Sequence, residues 1–178
     1  MGRIFRALAS VLFVLLSACS DGGRTGINPD DKAPNIKGVD LNGNPISLDQ
    51  IQGKVILLNF WATWCSPCIA ELPALQTLYT NLKEHGVQVV GIAVDDSPEN
   101  IKAAQATYGM TYPIIIDTDS QSKRFYEVKG LPESFVLNGE HRIQVLLDPD
   151  GNGPVTRIVG PREWSEKRVA EMLTSLIK

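Results

Sequence analysis

The sequence is poor in the residues that most often announce a chemistry. It has three cysteines and two histidines in 178 residues, too few histidines for a histidine-rich metalloprotein. An odd cysteine count also cannot close into a complete disulfide scaffold. No apolar run approaches the roughly 20 residues that a bilayer-spanning helix requires, which excludes a multi-span membrane protein. Positive charge is not in excess either: 17 basic residues face 20 acidic ones, for a net charge of −3. A nucleic-acid binder normally presents a basic face, so no nucleic-acid partner is expected. What is present is a composition 43% hydrophobic and 21% charged, the balance of a globular chain, in a length suited to one ordinary domain.

The first residues read as an address. Arg3 and Arg6 precede Ala7–Leu16, a run in which Ser10 is the only polar residue. That run is too short to span a bilayer and fits the apolar core of an export signal. The signal ends Leu16-Ser17-Ala18-Cys19. Small residues followed at once by cysteine resemble a bacterial lipoprotein box, which implies that residues 1–18 are removed and Cys19 is lipidated. Removing them leaves 15 basic against 20 acidic residues, a net charge of −5. An acidic protein gains nothing from an anionic lipid surface, so anchorage would rest on the lipid. Residues 19–33 are rich in Gly, Asp and Asn and read as a lipidated tether, with a reach of roughly 20 Å. Residues 34–178 form the expected domain.

Within that domain a turn signal, Asp40-Leu41-Asn42-Gly43-Asn44, sits between two short apolar runs and predicts an N-terminal β-hairpin over 35–48. Lys54–Asn59 and Val87–Val94 are apolar runs typical of buried strands. Ser66–His85 carries apolar residues at helical spacing and stops at Gly86. Ser97 is the expected N-cap of a helix to Tyr108, with Pro98 at its first position. Then follow a strand at Tyr112–Ile116, a short helix at Ser120–Val128, an antiparallel pair at Ser134–Leu137 and Ile143–Leu147, a strand at Thr156–Val159 and a helix at Glu163–Ile177. Strands that alternate with helices and then run together predict an α/β fold: a central mixed sheet with helices on both faces.

One motif carries chemistry: Cys65-Ser66-Pro67-Cys68, after a predicted strand and at the start of a helix. Heme attachment needs histidine next, and residue 69 is Ile. A zinc site needs two more ligands, and His85 and His141 are far apart in sequence with no second cysteine pair. A structural disulfide across so small a loop would constrain little. A redox-active dithiol is the favoured reading. Thiols at i and i+3 on a first helical turn share a side. The helix N-terminus favours a thiolate at Cys65 by up to about 2 kcal/mol, while Cys68 lies one turn further in. No metal or cofactor is expected.

The run Lys54–Leu75, KVILLNFWATWCSPCIAELPAL, resembles the TlpA, ResA and DsbE branch of thioredoxin-fold proteins, membrane-tethered extracytoplasmic thiol–disulfide oxidoreductases. Gly130-Leu131-Pro132-Glu133-Ser134-Phe135 resembles the family's cis-proline loop, and Gly160–Trp164 resembles a late turn of TlpA-like members. The resemblance implies that Cys65 attacks and Cys68 resolves, and that Pro132 is cis and packs against the disulfide. It also implies that the Leu131 backbone pairs with an extended substrate and that Trp64 covers the disulfide. Glu71, three residues after Cys68, matches the branch's acidic residue and is a candidate acceptor for the Cys68 proton. Asn59 stands where cytoplasmic thioredoxin has a buried aspartate, and Pro73 matches a helix-kinking proline.

Two departures stand out. The chain between Phe135 and Val159 is longer than the usual strand-turn-strand, which predicts a hairpin extension near 142–158. Its Asp148–Gly153 hexapeptide starts like a calcium loop, but Val159 stands where that loop needs glutamate. Leu131 and Glu133 also flank the proline, so substrate preference cannot be copied from other members. The resemblance implies reduction of disulfides in client proteins, such as apocytochrome c or other cysteine pairs awaiting a metal, with a membrane electron donor restoring the dithiol. The alternatives are an oxidising member of the same fold and a dithiol metallochaperone for Cu(I). A peroxidase of related fold would need an isolated peroxidatic cysteine in a Pro/Thr-rich loop, which the sequence lacks.

Overall fold

β3 (Val55–Trp61) is seven buried residues in succession, and the rest of the fold is arranged around it. It pairs in parallel with β4 (Val87–Val94) on one edge and antiparallel with β6 (Glu133–Asn138) on the other. A strand covered on both faces and both edges favours apolar side chains, and in β3 only Asn59 departs from that pattern. β5 (Ile114–Asp117) continues the sheet parallel to β4. The predicted N-terminal hairpin, β1 (Lys37–Val39) and β2 (Pro45–Ser47), closes that side, β1 pairing antiparallel with β5. β9 (Ile158–Val159) pairs antiparallel with β6, giving the order β2-β1-β5-β4-β3-β6-β9. This mixed sheet flanked by helices is a thioredoxin fold. The computed structural model describes residues 27–94 and 96–177, so the expected signal, Cys19 and the first part of the tether lie outside the described residues. Among the described residues, no helix is long and apolar enough to cross a membrane.

Alternation along β3 divides the core in two. Val55, Leu57 and Trp61 pack with Leu72, Leu75 and Leu78 of α1 (Ser66–Leu82), Ile101 of α2 (Pro98–Tyr108), and Val169 and Leu173 of α4 (Lys167–Ser175). Ile56, Leu58 and Phe60 face the other way, onto Ile36, Leu48, Ile51, Tyr126 and Phe135. The three longer helices thus serve one core. The second face is closed by the N-terminal segment and by Tyr126, after the short helix α3 (Gln121–Phe125).

The expected helix over 66–85 ends at Leu82, followed by a 3-10 turn and by Gly86 in the left-handed region at φ 94°. Ser97 caps α2 as expected, its hydroxyl accepting from the Asn100 N–H at 3.2 Å. Several boundaries differ from the sequence reading. The strand expected at Tyr112–Ile116 begins two residues later, and the helix expected over 120–128 contracts to α3. The final helix begins at Lys167, because Trp164 before it turns inward and is fully buried. The expected antiparallel strand Ile143–Leu147 is corrected most. Ile143 bridges Leu137, and the Gln144 N–H donates to the Val136 carbonyl at 2.8 Å, but pairing with β6 stops there. β9 already occupies that edge of β6 at Glu133 and Ser134. The displaced chain pairs with itself instead, as the ribbon of β7 (Leu146–Leu147) with β8 (Pro154–Val155), which is the predicted extension. Residues 30–33, read above as the end of the tether, hydrogen bond to residues 141–143, and Ala33 is buried, so packed chain begins before Pro34.

Candidate active site

β3 delivers the chain through Ala62-Thr63-Trp64 to Cys65, which is the N-cap of α1. The Thr63 N–H donates to Asp96 Oδ2 at 2.6 Å, and Asp96 Oδ1 accepts from the Ser97 N–H at 2.8 Å. One carboxylate thereby joins the turn before the cysteines to the start of α2. Ser66 and Pro67 fill the first helical positions, and the next free N–H, that of Cys68, donates to Cys65 Sγ at 3.3 Å. A sulfur at an N-cap takes the place of the usual hydroxyl or carboxylate acceptor, so the helix N-terminus is directed at it. Cys65 and Cys68 form a disulfide, with Cα atoms 5.3 Å apart. Cys68 is fully buried, whereas Cys65 retains 6% exposure.

That residual exposure opens into a groove of about 510 Å³ lined by Trp64, Cys65 and Pro67 on one wall and Lys123, Val128 and Leu131 on the other. Trp64 is 61% exposed, so it lies on the groove rim and not in the core. The Leu131–Pro132 bond is cis. Pro132 itself is buried, and its carbonyl accepts from the Gly160 N–H at 2.9 Å. The structure therefore gathers Trp64, Cys65 and Leu131 around one groove, with Cys68 beneath the surface.

Glu71 lies one turn beyond Cys68 and is buried. Its Oε1 accepts from Asn59 Nδ2 at 2.7 Å, and its Oε2 accepts from Trp164 Nε1 at 2.8 Å and from the Arg162 N–H at 3.0 Å. Burial pushes its pKa above the ordinary carboxylate value, and the bonds from Trp164, Arg162 and Asn59 only partly oppose this. Burial, reinforced by the Glu71 charge, likewise raises the pKa of the Tyr112 hydroxyl. The Arg162 guanidinium reaches the extension, with Nε 3.1 Å from Asp150 and Nη2 3.7 Å from Asp148. Among the described residues, no group of three or more His, Cys, Asp or Glu could hold a metal ion.

A disulfide-linked cysteine pair at a helix N-terminus, beside a cis-proline loop, is a recurrent arrangement, and comparison with known proteins gives it a family. The model of the AhpC/TSA family matches residues 29–146. The chain belongs to the AhpC/TSA family. Within it, the chain is a thiol–disulfide oxidoreductase of the ResA/DsbE type. It is 36% identical over 121 residues to the thiol-disulfide oxidoreductase ResA of Bacillus subtilis (strain 168), covering 68% of each chain. It is 31% identical over 144 residues to ResA of Oceanobacillus iheyensis, covering 79% of this chain and 74% of that one. Among solved structures, a thiol:disulfide interchange protein of the thioredoxin family from Chlorobium tepidum TLS is 30% identical, with a TM-score of 0.64 over 83% of this chain and 97% of that one. A second Chlorobium tepidum structure, described as a putative thiol:disulfide interchange protein DsbE, is 25% identical with a TM-score of 0.69 over 86% and 100%.

Sequence reasoning singled out the cysteines, Glu71 and the proline loop of this AhpC/TSA chain, but not the donors that hold Glu71. Gly160–Trp164 was legible only as a late turn, although its Arg162 N–H and Trp164 indole are two of the three donors to the carboxylate. Trp164 read as the start of the final helix, so no local signal marked its indole as a donor. Asp96 gave none, since Ser97 beside it already reads as the cap of that helix.

Proposed function

We propose that this oxidoreductase is a periplasm-facing lipoprotein of the cell envelope, lipidated at Cys19, and reduces disulfides in client proteins. The observation that carries the reading is the asymmetry of the pair: Cys65 borders the open groove, and Cys68 is sealed behind it. An incoming disulfide meets Cys65 first.

In the dithiol form, the Cys65 thiolate attacks one client sulfur. The client S–S bond breaks, a Cys65–client bond forms, and the departing client thiolate takes a proton. Cys68 then loses its proton and attacks Cys65 Sγ, which releases the second client thiol and closes Cys65–Cys68. Two electrons pass from the protein to the client. Glu71 is the base assigned to the Cys68 proton, since a carboxyl whose pKa is raised by burial takes up a proton closer to neutral pH. Trp64 and Leu131 form the client site, with Pro132 fixing the backbone of Leu131. Residues 1–18 act as the export signal, and the segment from Cys19 to the packed residues 30–33 acts as the tether. A membrane electron donor returns the disulfide to dithiol, and the clients are apocytochrome c or other cysteine pairs awaiting a metal.

Redox titration of Cys65–Cys68 against glutathione tests the direction. The expected midpoint lies toward the thioredoxin end of the fold's range, about −270 mV, and a value near about −120 mV would overturn reduction in favour of oxidation. Cys68→Ala removes the resolving thiol and is expected to accumulate a mixed disulfide between Cys65 and a client in the cell envelope.

A further inference from the structure

Glu133 follows the cis peptide directly and is the first residue of β6, paired with Phe60 on one side and Val159 on the other. It is 1% exposed. A carboxylate in such a place requires partners. Arg157 Nη1 donates to Glu133 Oε1 at 2.8 Å, and the Lys129 N–H donates to Oε2 at 3.1 Å. The same Nη1 donates to the Glu127 carbonyl at 3.0 Å, while the guanidinium lies over the Phe135 ring, 5.2 Å from its centroid. Glu127 has φ 52°, a left-handed conformation that a residue with a side chain seldom adopts unaided.

One ion pair therefore grips the backbone of the loop at two points, the Glu127 carbonyl and the Lys129 N–H. Between and beyond those points lie Val128 and Leu131, which form the groove wall opposite Cys65. The cation of the pair comes from the 142–158 extension.

We propose that Glu133 and Arg157 are positioning residues that set the shape of the client-binding wall, so that the extension takes part in selecting extended clients. The proposal rests on the reading that the groove receives clients. An extended segment bound along a backbone depends on which N–H and C=O groups that backbone presents. A small disulfide reagent needs only Cys65 Sγ. Loss of the clamp should therefore weaken reaction with an extended client more than reaction with a small reagent.

The test uses the full chain, reduced beforehand and freed of excess reductant, in single-turnover reaction with two probes. One is a pair of extended peptides joined by a single disulfide, one carrying a fluorophore and the other a quencher, so that reduction separates them; the other is 5,5′-dithiobis(2-nitrobenzoate). Arg157→Met is expected to lower the second-order rate constant for the peptide about tenfold more than for the small reagent. Arg157→Lys keeps the charge but loses the guanidinium geometry and is expected to show a smaller split, about threefold. It carries the test if the Met variant does not fold. Equal losses on both probes, or no loss on either, would overturn the clamp while leaving the reductase reading intact. A native chain that reduces neither probe would instead overturn that reading.

Discussion

Glu71 concentrates the electrostatics of the site in one side chain. Asn59, Arg162 and Trp164 all donate to it, yet burial still raises its pKa above the ordinary 4.5. A carboxyl whose folded pKa exceeds its unfolded value contributes stability fully below the unfolded value and loses it as pH rises through the folded one. The thermal midpoint of the native chain is therefore expected to fall as pH rises through that window. Glu71→Gln should remove this slope and be the more stable protein above it, by about 1 kcal/mol. The neighbourhood can accept the exchange. Asn59 Oδ1 is buried without a hydrogen-bond partner, and turning the Asn59 amide over would offer that oxygen to the variant's amide group. Melting curves across acid to neutral pH check this, and parallel slopes in both proteins would show that another group titrates. The position of Glu71 was legible from its spacing to Cys68, but its donors were not. Asn59 lies 12 residues away, and Arg162 and Trp164 lie more than 90 away, on separate elements.

At the scale of elements, the hairpin β1–β2 shows how closely the sheet is fitted. Gly38 crosses β5 so tightly that a Cβ there would lie 2.1 Å from the Ile116 carbonyl oxygen. The obstacle is backbone, so no side-chain rotation relieves it. Gly38→Ala is expected to force β1 away from β5 and to destabilise the protein by about 1–3 kcal/mol, read as a lower urea midpoint. An unchanged midpoint would mean that the hairpin shifts without cost. The strands β3 and β4 and the helices α1 and α2 were readable because apolar runs, 3.6-residue spacing, Gly86 and Ser97 are all local signals. The fate of Ile143–Leu147 was not. Those residues have the composition of a strand, but the edge they would occupy on β6 is shared with β9, which arrives later in the chain.

For the whole molecule, the proposed anchorage has a consequence in charge. On the proposed reading the chain without residues 1–18 carries a net charge of −5, so adhesion to an anionic membrane would rest on acyl chains. In detergent phase separation, the protein expressed with its own leader is expected in the detergent phase, and Cys19→Ala in the aqueous phase. If both partition alike, lipidation at Cys19 falls. The order of most elements, the buried central strands and the cysteine pair at a helix N-terminus were determined by the sequence itself, because each depends on residues within a turn or a strand of one another; the extension was legible only against the length usual in the family. Tertiary structure alone decided three things. It brought Trp164 and Arg162 onto Glu71, it sent the extension away from β6 into its own ribbon, and it placed Arg157 on Glu133 behind the groove wall. Each joins residues far apart in the chain. Local propensity does not encode such pairings, which are selected when the folded sheet offers a buried carboxylate its donors or leaves an edge already taken.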